Sequence, residues 1–80
     1  MWSRVKVGDF VEIAEYIREQ YMVGDLIVGE KRKSLIGNTY QIRRVKVLTS
    51  GKERYILEGV DGVVWSRRMF RRIDREVNEI

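Results

Sequence analysis

Trp65-Ser66-Arg67-Arg68-Met69-Phe70-Arg71-Arg72-Ile73 sorts its apolar and cationic residues in two incompatible ways, and the choice between them decides the fold. As a helix, Trp65, Met69, Ile73, Val77 and Ile80 recur every three or four residues and form an apolar stripe beside a row of arginines. Such a helix is suited to lie on nucleic acid. As the closure of a small antiparallel barrel, Trp65 ends a strand and Ser66 to Arg68 form one 3₁₀ turn. Met69 or Phe70 then points inward, and Phe70 to Ile73 begins a last short strand. Residues 74–80 follow as a tail or short helix.

The turn-rich residues upstream favour closure, with the basic helix as the alternative reading. Tyr40, Ile42, Val45 and Val47 alternate with polar residues except for one slip at Arg43-Arg44, where an extra residue predicts a bulge. Ser50-Gly51-Lys52 supplies a hairpin turn into a return strand, Tyr55-Ile56-Leu57. Asp61-Gly62 then turns the chain into Val63-Val64-Trp65. Three antiparallel strands on short turns therefore lead into the deciding stretch.

The first half is less regular. Val5, Val7, Val11 and Ile13 predict a first strand with a turn or bulge at Gly8-Asp9. From Glu12 to Tyr21 the apolar residues Ile13, Ala14, Ile17 and Tyr21 adopt helical spacing, which predicts a short helix that needs packing to form. Val23-Gly24-Asp25-Leu26-Ile27 echoes Val7-Gly8-Asp9-Phe10-Val11. Gly-Asp before an apolar pair is a turn-into-strand signal, which explains the echo without a repeat. Gly29 to Gly37, with Lys31, Arg32 and Lys33, reads as an exposed mobile loop.

Eighty residues make one domain with a small core, and the absence of cysteine removes disulfide reinforcement. Histidine is also absent, which removes the usual base near neutral pH and the commonest metal ligand. The carboxylates show no metal-binding spacing and the glycines no phosphate-binding loop. A non-enzymatic chain without a cofactor follows, with Asp9 and Asp25 read as turn residues. No apolar run reaches the roughly 20 residues that span a bilayer, so a soluble cytoplasmic protein is expected, with no membrane partner. The net charge of +4 is unevenly spread. Residues 1–30 carry three bases against six acids and residues 31–80 thirteen against six. Electrostatic recognition therefore belongs to the later part.

Gly37-Asn38-Thr39-Tyr40-Gln41-Ile42, then Val45, Tyr55-Ile56-Leu57, Gly62, Trp65, Met69-Phe70 and Ile73, resemble the small SH3-like barrel proteins of bacteriophages and prophages. More loosely they resemble the SH3-like repeats of the Mind bomb type. Val7 to Ile13 looks like the first strand of the same family. The resemblance covers about two thirds of the chain, and its positions are glycines and core residues, which speak to fold more than to function. It implies a mainly β protein: a small SH3-like antiparallel barrel of about five strands, with residues 15–36 as an elaborated first loop that holds a short helix. Where family members often carry an acid after the Met-Phe pair, this chain has Arg71 and Arg72.

Arg43, Arg44 and Lys46 flank the predicted bulge, and with Arg67, Arg68, Arg71 or Arg72 they form either a cationic binding patch or a solvated face. Lys31, Arg32 and Lys33 are a weaker cationic candidate in the loop. Tyr40, Tyr55 and Trp65 read as core or rim. Trp2 and Phe10, the latter out of phase with Val11 and Ile13, are candidate partner contacts. The expected function is a phage-encoded module that binds a host protein through an acidic surface and modifies or blocks it, as an anti-defence protein does. Direct DNA or RNA binding through the basic half is the alternative, and self-association through a strand edge a third.

Overall fold

β1 (Phe10–Ile13) lies at the centre of the sheet because Val11 and Ile13 turn inward while Phe10 and Glu12 turn outward, the two-residue period of a half-buried strand. The computed structural model describes residues 5–72. In it β1 pairs antiparallel with β4 (Thr39–Val47) on one side and β6 (Phe70–Arg72) on the other. β5 (Glu53–Leu57) pairs with the far edge of β4, giving the order β5-β4-β1-β6. The protein is thus mainly antiparallel sheet, with little helix, and the four-stranded sheet does not close on itself. The expected strand Val63-Val64-Trp65 contracts to a single bridge, in which Trp65 and Tyr55 exchange both backbone hydrogen bonds at 2.8 and 2.9 Å.

The first strand is shorter than its apolar residues suggest. Val5 is buried, but a turn at Val7-Gly8 leaves Val7 exposed, and the Asp9 carboxylate accepts the Lys6 amide at 3.0 Å. The predicted helix from Glu12 to Tyr21 shrinks to a 3₁₀ turn, Glu15–Glu19, because Ile13 is already held in β1 and only Ile17 is buried along the turn. β2 (Met22–Val23) and β3 (Leu26–Ile27) then form a small hairpin. Gly24, at a φ of 63°, takes the first central position of its two-residue turn, a conformation that side chains disfavour. The segment expected as a mobile loop instead contains one helical turn, α1 (Gly29–Lys33), followed by further turns to Gly37.

The bulge lies where the alternation breaks: Ile42 faces Leu57, yet Arg44 already faces Ile56. The extra residue leaves both Arg43 and Arg44 exposed between buried Ile42 and half-buried Val45. In its described part the deciding stretch is turn and strand, with the 3₁₀ turn one residue later than the expected Ser66 to Arg68. Arg67–Met69 is a 3₁₀ turn, and Met69 and Phe70 are buried. The Ala14 amide, beyond β1, donates to the Met69 carbonyl at 2.9 Å. An arginine-bearing helix over these residues is excluded, and its continuation over 73–80 lies outside the described residues. Around Trp65 the core includes Phe70, with ring centres 6.2 Å away, and Tyr55, which meets Phe70 edge-on at 5.5 Å.

Candidate cationic binding surface

The described cations from Arg43 onward divide into three settings. On β4, Arg43, Arg44 and Lys46 are exposed together. Arg43 approaches Asp61 at 3.7 Å, and no ion pair engages Arg44 or Lys46 among the described residues. On β6, Arg71 stands opposite Glu12 of β1 and donates to its carboxylate at 3.2 Å. Arg72 stands opposite Val11. Arg67 and Arg68 belong to neither group. They line a groove of about 470 Å³ with Lys52 and Arg54, between the β2–β3 turn and the β4–β5 turn.

Asp25 organises this groove. Its carboxylate lies 2.5 Å from Nη2 of Arg54 and 3.4 Å from Nζ of Lys52. The Arg54 side chain is only 9% exposed, and an arginine so enclosed requires a partner. Desolvation pushes the Asp25 carboxyl up, but the charges of Arg54 and Lys52 outweigh it and hold the group below the usual carboxylate range. A depressed folded-state value means that the stabilisation is complete above the ordinary value of 3.8 and is lost as pH falls through the lower folded value. Asp25→Asn is therefore expected to flatten the acid limb of a stability-against-pH profile below about pH 4. The check is urea denaturation of both proteins between pH 2 and 6. Superimposable acid limbs contradict the role given to Asp25.

Arg32, expected in an exposed basic loop, is instead a tether. Its guanidinium donates to the Ile27 carbonyl at 2.8 Å and to the Val64 carbonyl, and it lies 5.5 Å from the Trp65 ring centre. The contact with Trp65 has cation–π geometry. Burial pushes its pKa down, with the charge of Arg54 adding to the effect. Lys31 is exposed and Lys33 half-buried on the same helical turn. Phe10 is half-buried on the outward face opposite Gln41, and Trp2 lies outside the described residues.

Sequence reasoning located the β4 cations through the break in alternation but missed the groove. Asp25 and Arg54 are 29 residues apart and carry no local signal of their meeting. The nearest hint is Arg54 itself, a charged residue directly before the apolar run Tyr55 to Leu57 of β5. Against this geometry, no family model, curated protein or solved structure matches the chain.

Proposed function

We propose that the chain is an SH3-like β-barrel domain that acts without catalysis, by binding an acidic surface of another macromolecule. Several features support the fold reading. The sheet order is β5-β4-β1-β6, a long excursion separates β1 from β4, and a 3₁₀ turn carries the chain from the Trp65 bridge into the last strand. The lack of histidine and cysteine in the sequence supports a non-enzymatic role.

The observation that carries the binding reading is the bulge. It fixes Arg43 and Arg44 side by side on a paired strand, exposed with Lys46, so their charges are presented from a rigid element. A protein with an acidic surface is the partner put first, and a host protein in the cytoplasm of a phage-infected cell is the setting that fits the resemblance. Charge reversal, Arg43→Glu with Arg44→Glu, is expected to lower recovery of a specific host protein by roughly tenfold or more, because both charges then oppose the partner. The circular dichroism spectrum should stay unchanged. Unchanged recovery removes the bulge from the binding surface. A salt series with random duplex and single strands tests the nucleic-acid alternative, since each phosphate contact steepens the loss of affinity as salt rises.

A further inference from the structure

The groove holding Asp25 differs from the bulge in being concave and in already accommodating a carboxylate. Among the described residues, Lys52, Arg54, Arg67 and Arg68 line it with the acids Asp25 and Glu53. Asp25 turns Arg54 into an enclosed, fixed support, whereas Lys52 and Arg68 remain exposed at the groove. Ser66 also lines the groove, and its hydroxyl is buried with no hydrogen-bond partner among the described residues. A buried hydroxyl in that state is costly, and rotation of the half-buried Ser66 side chain towards an oxygen in the groove removes the cost.

We infer that this groove is the subsite that takes the acidic side chains of a partner peptide, one carboxylate beside Lys52 and Arg68 and the next towards Ser66. The inference rests on the acidic-partner reading above and assigns it a place and a ligand chemistry. Two observations favour a peptide over nucleic acid. Among the described residues the groove presents two exposed cations, Lys52 and Arg68, which suit a pair of carboxylates rather than a run of phosphates. Among the described residues no aromatic side chain lines the groove, so none of them offers single-stranded bases a stacking platform there. The volume of about 470 Å³ falls in the range of ligand sites and exceeds what one carboxylate fills.

The test titrates the whole chain with a hexaglutamate peptide at low salt, and in parallel with a dT6 oligonucleotide, following backbone amides by NMR. The expected result is saturable hexaglutamate binding, with the largest shifts at Gly24, Gly51 and residues 66–68. The double variant Lys52→Gln with Arg68→Gln is expected to weaken it by roughly tenfold, as loss of two charge-assisted contacts predicts. Both residues are exposed, and a native-like spectrum of the variant establishes that the fold is intact. Saturable binding with shifts centred on residues 43–46, insensitive to the double variant, overturns the groove assignment while leaving the acidic-partner reading standing. Tighter binding of dT6 than of hexaglutamate in the groove overturns the peptide assignment. No binding of hexaglutamate at low salt overturns both.

Discussion

Trp65→Ala is expected to destabilise the domain by about 3–5 kcal/mol, the range for removing a large aromatic side chain from a core. Trp65 is fully buried, packs near Phe70, lies under the Arg32 guanidinium and holds the only backbone bridge to the outer edge of β5 among the described residues. No nearby large side chain is free to fill the space, since Tyr55 and Phe70 are themselves buried and packed against each other. Small domains have total stabilities of about 5–15 kcal/mol, and a short chain lies towards the lower end. The variant should therefore unfold at a much lower urea concentration, and at the top of the predicted range it should be substantially unfolded without urea. Far-ultraviolet circular dichroism is the readout, with Trp65→Phe as the comparison that restores part of the loss. A shift equivalent to less than about 1 kcal/mol contradicts the central place given to Trp65.

Arg32→Ala is expected to cost about 2–3 kcal/mol, through lost charge-assisted hydrogen bonds to two carbonyls and the lost contact with the indole. Arg32 ties Ile27 of β3 to Val64 beside the Trp65 bridge, so its removal should loosen the β2–β3 hairpin over the sheet. Arg32→Lys distinguishes fork geometry from charge. A single ammonium does not reproduce the planar fork that serves both carbonyls, and the variant should recover less than half of the lost stability. Hydrogen exchange at Ile27 and Val28 should rise in both variants. Full recovery by lysine means that charge alone is required.

These two residues also mark where reading the chain succeeds and fails. The place of Trp65 was legible from the turn-rich strands before it, Tyr55 to Leu57 and Asp61-Gly62, together with the order of Gly62, Trp65, Met69 and Phe70. The Arg43-Arg44 bulge was legible because a two-residue period shows a single insertion at once. Arg32 was not, since a charged residue among charged neighbours and two flanking glycines has the composition of a loop. Its partners are carbonyls at Ile27 and Val64, and backbone atoms leave no trace in residue identity. Val63-Val64-Trp65 was over-read for the converse reason: β-branched residues favour extended backbone, but only Trp65 finds a strand to pair with. The pairing of Asp25 with Arg54 was invisible because the β2–β3 turn and β5 meet only through the tertiary fold.

The pairing of β1 with β6 sets the order in which the molecule can assemble. Ile13 and Phe70 lie opposite each other, so almost the whole described chain separates two strands that are neighbours in the sheet. The β4–β5 hairpin closes over a short loop and can form early, whereas the β1–β6 contact must wait until the polypeptide between them has been ordered. During synthesis, β1 emerges long before its partner and its outer hydrogen-bonding edge remains open until residues 70–72 arrive. Folding should accordingly be slow for so small a domain and limited by this last long-range step, with newly made chains most vulnerable to misassociation just before β6 docks.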